Sequence, residues 1–402
     1  MRGYSIVLAL PLLALAACGG SGPESVGSLA PPAPTAGSGS AGSGGGVGST
    51  PTPTPSSGNS GSGTGVSPTP TPSATPTAGF LSVSTETTFN AIGAGHSFSY
   101  QTTNGATSVL YTGNASTVRS PAGTISYNPR DGVFQLKLSD SKANITRTVG
   151  YQDPAHRTDF EYLQIPNPEA PDLPGFNYLE AGTSQEANIF FYQRPDSTIY
   201  VTLAGFVYRG TDQAGIVTKR ERGVYVFGAQ TPQAQVPISG TGTYTGGFLA
   251  SAVLNPLLDD EPGSTSYLQW ITGSSKIDID FGLKSVDVSL SGKVGATYVD
   301  GLLVPDNALV IPSGTAFEAR GFATIDLTRT GGFTGAFRSV TFDGEPLPFD
   351  GISAGSNVAG ASSIDGGFFG PNGVNVGGSF RVVGGLPDTR LDIQGAFTGA
   401  KR

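Results

Sequence analysis

Lys276-Ile-Asp-Ile-Asp-Phe-Gly-Leu-Lys-Ser-Val-Asp-Val-Ser-Leu-Ser-Gly292 is the stretch whose periodicity sets the fold class. Successive side chains of an extended chain point to opposite sides, so Ile277, Ile279 and Phe281 share one face and Asp278 and Asp280 the other. Gly282-Leu-Lys284 turns the chain, and Val286, Val288 and Leu290 return on the same apolar face. A helix would repeat its apolar residues every three or four positions. This stretch repeats them every second one, and is predicted to be a β-hairpin with one buried and one wet face.

The same alternation extends in both directions. Upstream, Ser197–Leu203 is rich in β-branched residues, and Gly215–Gly228 carries Gly-Val-Tyr-Val-Phe after the charged run Lys219-Arg-Glu-Arg222. Further strands are predicted at Tyr244–Leu249, Ala316–Leu327, Phe333–Phe342, Gly378–Val383 and Leu391–Phe397. No long amphipathic helical stretch follows Phe80. Strands at short spacing with Gly-rich turns indicate an all-β sandwich or closed antiparallel barrel. Residues 80–237 have longer connections, among them Tyr151–Gly175 with prolines at 154, 166, 168, 171 and 174. A soft boundary is placed at Gln235–Gly242, where Pro237, Gly240 and Gly242 cluster.

The first part of the 402-residue chain follows other rules. Arg2, the apolar run Ile6–Leu15 and small residues after it have the layout of a secretory signal over residues 1–17, too short to span a bilayer. Leu15-Ala16-Ala17-Cys18 resembles the bacterial lipobox, which implies cleavage before Cys18, a diacylated thiol and an acylated amine. Several acyl chains on one residue make a lasting anchor, since each buried methylene contributes about 0.8 kcal/mol. Cys18 is the only cysteine, so no internal disulfide can form. Gly19 follows instead of the Asp associated with inner-membrane retention, which favours the outer membrane. Residues 18–79 are low-complexity, with Gly42–Gly46, Pro51-Thr-Pro-Thr-Pro55 and Pro68-Thr-Pro-Thr-Pro72, and Glu24 as their one charge. Such a segment cannot bury enough surface to offset chain entropy and is expected to be a disordered tether, with an r.m.s. reach of roughly 40–50 Å.

The net charge is −8, and removal of Arg2 makes it more negative. Such a balance argues against nucleic acid or anionic lipid as the main ligand, since both require basic patches.

Near the C-terminus the sequence runs Gly367-Phe-Phe-Gly-Pro-Asn372, then Val376-Gly-Gly-Ser-Phe380, then Gly395-Ala-Phe-Thr-Gly-Ala-Lys-Arg402. Gly370-Pro371 is expected to end a strand, Asn372-Gly373 to accept positive φ, and Gly377-Gly378 to let a strand bend or approach its neighbour closely. Phe368, Phe369, Phe380 and Phe397 are expected in the barrel core. In this order, behind a lipobox and a tether, the motifs resemble the β-barrel domain of the transferrin-binding protein B family. The resemblance covers about residues 242–402, with 80–237 corresponding to that family's handle domain. It implies an antiparallel C-terminal β-barrel of about eight strands (238–402), a β-rich N-terminal handle (80–237), and one lobe in place of two. Where the family carries a Glu shortly after Gly-Pro, this chain has Val374-Asn375. The function implied is that of an outer-membrane surface lipoprotein that binds a host protein, iron or haem ligand and delivers it to a TonB-dependent outer-membrane receptor. The alternative is a structural or adhesive surface lipoprotein with no small-molecule ligand.

Chemistry beyond binding finds little support in the residues. Metal sites need clustered His, Cys or carboxylates, and only His96 and His156 occur, both beside turn-like sequence and both expected as exposed loop residues. Either His, or a Tyr, has the chemistry of an axial haem ligand, but nothing in the sequence selects one, and no cofactor is assigned. Asp259-Asp260-Glu261 reads as solvated loop charge. Ser139-Asp-Ser-Lys142 matches Ser-x-x-Lys without the downstream elements of that catalytic set. Asp278 and Asp280 alternate with apolar residues as on any half-exposed strand. The expectation is a binding protein and not an enzyme, with Cys18 as its one assigned site.

Overall fold

The computed structural model of the chain describes residues 80–103, 106–114, 121–140, 145–152, 170–171, 173–182, 186–194, 197–211, 217–255, 266–299, 302–308, 310–347, 362–384 and 390–402. Among these, only single turns of 3-10 helix interrupt the strands. The expected all-β fold is present.

The N-terminal half contains β1 (Thr87–Thr103), β2 (Ala106–Asn114), β3 (Pro121–Asn128), β4 (Val133–Asp140), β5 (Ile145–Gln152), β6 (Phe176–Gly182), β7 (Glu186–Gln193), β8 (Val201–Thr211) and β9 (Val217–Gly228). They form one nine-stranded antiparallel sheet in the order β5-β4-β3-β1-β9-β8-β7-β6, with β2 paired to the second half of β1. The sheet rolls onto itself, because side chains from opposite ends of this order touch. Phe134 of β4 lies 4.9 Å from Tyr192 of β7, and Tyr151 of β5 lies 5.6 Å from Phe190 of β7, ring centroid to centroid. The turn Phe80–Ser82 enters the roll, where Phe80 meets Tyr127 and Tyr192 edge-on and Leu81 is fully buried.

The C-terminal half contains β10 (Thr241–Asn255), β11 (Tyr267–Asp280), β12 (Ser285–Val299), β13 (Leu302–Val304), β14 (Ala316–Asp326), β15 (Gly332–Phe342), β16 (Glu345–Pro346), β17 (Ser362–Phe369), β18 (Asn375–Gly384) and β19 (Arg390–Lys401). Eight long antiparallel strands close into a barrel in the order β11-β10-β19-β18-β17-β15-β14-β12, the pairing of β11 with β12 completing the ring. Closure removes the exposed edges of an open sheet. The short strands β13 and β16 extend β12 and β15 beyond it.

The predicted hairpin is β11–β12. Ile277, Ile279, Phe281, Val286, Val288 and Leu290 all point into the barrel, where Phe248, Phe317, Phe333, Phe380 and Phe397 fill the centre. The opposite wall faces water through Lys276, Asp287, Lys293, Glu318 and Arg320. A membrane-spanning barrel has the reverse order, an apolar band outside and a polar lumen. The described residues also contain no helix long and apolar enough to cross a membrane.

Phe368, Phe380 and Phe397 occupy the barrel core as expected, but Phe369 does not. As the strand neighbour of Phe368 it must point the other way, and it is buried against the N-terminal sheet. The turn after it has the expected backbone, with φ of 53° at Asn372 and 63° at Gly373.

Candidate functional site

The outer wall of the barrel packs on the outer face of the rolled sheet. From the barrel come Leu249 and Val253 of β10, Leu268 and Trp270 of β11, Phe369 and Ala396; from the sheet come Ile189, Phe191, Val201, Leu203, Val207, Val224 and Val226. A Cβ at Gly377 would meet Val201 at 2.9 Å, so that glycine allows β18 to approach β8. Close approach was the expected use of Gly377-Gly378.

One end of this junction is tied by hydrogen bonds. Thr231 N donates to the Phe368 carbonyl at 2.9 Å, Thr231 Oγ1 to the Gly370 carbonyl at 2.5 Å, and Gly370 N to the Ala229 carbonyl at 2.8 Å. Asn375 Oδ1 accepts from Tyr200 N at 3.1 Å, and its Nδ2 donates to the Ser197 carbonyl at 3.4 Å. Asn375, in the segment where the resembled family carries its Glu, therefore joins the barrel to the N-terminal sheet.

The other end of the junction is polar. His96 of β1 stands opposite Arg222 of β9, and Arg220 lies two residues further along the same face. Against them the barrel sets Ser251 of β10, Gln394 and Asp392 of β19, and Arg381 of β18. All but Arg381 are buried, and Arg381 reaches Asp392 through Nε and Nη2 at 3.5 and 3.4 Å. The His96 Nε2 lies 3.1 Å from the Ser251 carbonyl, joining the two sheets directly.

This placement corrects the expectation for His96, which is 1% exposed in mid-strand instead of sitting in a solvated loop. The flanking Gly93 and Gly95 read as turn residues but serve packing. A Cβ at Gly93 would overlap Tyr225, and one at Gly95 would lie 2.9 Å from the Arg222 carbonyl. Burial pulls the His96 pKa down from 6.5 to about 4, against the opposing pull of Asp392 and of the Ser251 carbonyl.

A second feature is the far rim of the barrel, where β13 leaves the end of β12. Leu302 and Leu303 are 69% and 65% exposed, although neighbours in a strand point to opposite sides. The hairpin therefore projects, with apolar surface on both faces. Its base is fixed. Gln269 Nε2 donates to the Ile311 carbonyl at 2.6 Å, Ser313 N and Oγ donate to Asp306 at 2.8 and 3.1 Å, and Gly314 N donates to the Val294 carbonyl at 2.8 Å. Described acidic side chains on this rim are Asp306, Asp343 and Glu345, all exposed.

Asp278 accepts from Thr243 and pairs with Lys276, and Asp280 Oδ1 accepts from Leu283 N at 2.9 Å, capping the hairpin turn. These roles are structural. Among the described residues no group of three His, Cys, Asp or Glu is placed to hold a metal ion. Ser139 and Asp140 end β4. Cys18, Ser141, Lys142, His156 and Asp259-Asp260-Glu261 lie outside the described residues. Sequence reasoning passed over Leu302 and Leu303, although Asp300-Gly301 between Val299 and Leu302 is a strong hairpin signal.

No protein-family model matches the sequence, and no curated protein matches it. Among solved structures the chain is similar to a double mutant of transferrin-binding protein B from Haemophilus parasuis Hp5, at 10% identity, covering 77% of this chain and 76% of that one, with a TM-score of 0.33. It is also similar to intact Ap-TbpB with N and C lobes, at 10% identity, 79% and 78% coverage and a TM-score of 0.32. A single mutant of the H. parasuis protein gives 11% identity, 77% and 76% coverage and a TM-score of 0.27.

Proposed function

We propose that this chain is a surface-exposed outer-membrane lipoprotein, anchored through Cys18, that captures a host protein, iron or haem ligand and delivers it to an outer-membrane receptor. The observation that carries the reading is the β12–β13 hairpin, which holds Leu302 and Leu303 in water on the rim that also carries Asp306, Asp343 and Glu345. Apolar side chains on both faces of a projecting strand suit a protein that adds a strand to its edge and closes over it. Of the three ligand classes this favours a protein. The lipobox and the tether supply the anchor and the reach, and the C-terminal motifs supply the resemblance to a ligand-capturing family.

The test has two parts. Labelled palmitate should enter the wild-type chain and not Cys18→Ser, and proteinase added to intact cells should release the folded part. The purified chain should then retain a serum protein or haem that a Leu302→Asp/Leu303→Asp variant of unchanged thermal stability releases. Retention by the double variant removes the hairpin from the site. A chain protected from proteinase, retaining nothing, with no growth defect of the deletion strain on any iron source, favours the structural or adhesive alternative.

A further inference from the structure

The junction between the two sheets has unlike ends. At one, neutral hydrogen bonds from Thr231, Gly370 and Asn375 hold the sheets together, with no titratable side chain among them. At the other, under the β12–β13 rim, the contact is charged and buried. There, His96 is the group whose ordinary range of titration falls between mildly acidic and neutral pH.

We propose that His96 is an acid-operated latch: neutral, it holds the N-terminal sheet to the barrel at the rim end, and protonated, it releases that end while the Thr231–Gly370 end acts as the pivot.

The charged groups around it give the direction. Arg222 faces it across the β1–β9 pair, and Arg220 follows on the same face of β9. From the barrel, β19 contributes Asp392, β18 contributes Arg381, β17 contributes Asp365 on the same wall, and β10 contributes the uncharged Ser251. Asp392, the carboxylate that favours a charged imidazole, is already engaged by Arg381. A second proton on the ring would set a cation beside Arg222 in a site closed to water. An ion there is destabilising unless a partner compensates it. Neutral His96, with Nε2–H donated to the Ser251 carbonyl, has no such conflict. Parting the sheets at this end hydrates the ring and relieves the repulsion without breaking either sheet.

The protein carries its own reporter. Trp270 is the single tryptophan, and it lies buried in this junction against Phe191. Emission of the full-length chain is followed from about pH 7 to about pH 4 beside its far-ultraviolet β signal, for wild type, His96→Gln and His156→Gln. Gln at 96 keeps a side-chain donor for Ser251 and cannot take the proton. The expected result is a red shift of Trp270 with the β signal retained, present in wild type and His156→Gln and absent in His96→Gln. An unshifted emission in wild type, the same midpoint in His96→Gln, or loss of the β signal together with the shift would each overturn the latch. If His96→Gln does not fold, imidazole resonances of the wild type decide it. With two histidines, His156→Gln assigns both, and His96 must titrate at the midpoint of the emission change; a mismatch rejects the proposal.

Discussion

Phe191 of β7 meets Trp270 of β11 edge-on across the junction, with ring centroids 5.8 Å apart and planes at 82°. Phe191 holds this position by lying over Gly205, its cross-strand partner on β8, where a Cβ would overlap the ring. Gly205→Ala should push the ring out of its seat and into Trp270. We expect a loss of about 1–3 kcal/mol in urea unfolding and an altered Trp270 emission at neutral pH. A variant with wild-type stability and emission would show that Phe191 has another rotamer to take.

Asn375 ties segments far apart in sequence, through Tyr200 N and the Ser197 carbonyl. Asn375→Ala leaves the half-buried Tyr200 N–H without its acceptor and should cost about 1 kcal/mol. Hydrogen exchange at Tyr200 should accelerate more than exchange inside the barrel. Uniform acceleration would mean that the tie is not local.

Asp392 is fully buried and paired with Arg381, which is 23% exposed on its side chain. Asp392→Asn leaves guanidinium groups facing one another with less opposing charge, and should cost about 3–5 kcal/mol. It should also lower the His96 pKa further, because Asp392 is the carboxylate that raises it. Urea unfolding reads the first effect and imidazole resonances the second.

Acid should weaken the folded protein through His96. In the unfolded chain the imidazole takes a proton below about pH 6.5, whereas the folded chain resists until about pH 4. The contribution is therefore complete above about pH 6.5 and declines as the pH falls toward 4, by about 3 kcal/mol in all. Urea midpoints across this range should drop for wild type and drop less for His96→Gln. Parallel slopes for the two proteins would refute the assignment.

The β11–β12 hairpin was legible because one of its faces is dry and the other wet. Period-two alternation at Ile277–Leu290 gives the strand, the register and the inward face together. The rolled sheet was harder to read because β8 and β9 are buried on both faces. At Val201–Tyr208 every residue is buried, so alternation vanishes from the sequence. His96 was misjudged for a related reason. Its glycine neighbours signal a turn locally, and the requirement for them comes from Tyr225 and Arg222, more than a hundred residues away. Arg220 and Arg222 stand in the charged run Lys219–Arg222, and nothing local reveals that they are buried where β9 meets β18 and β19.

The barrel's ring order also bears on how the protein is made. β10, the first of the barrel strands to emerge, pairs with β19, the last, and β19 lies between β10 and β18. Until Arg390–Lys401 has been synthesised, β10 and β18 both present open edges, and the ring has no way to shut. Closure must wait for contacts at the greatest separation in sequence, which slows folding and prolongs exposure of strand edges prone to aggregation.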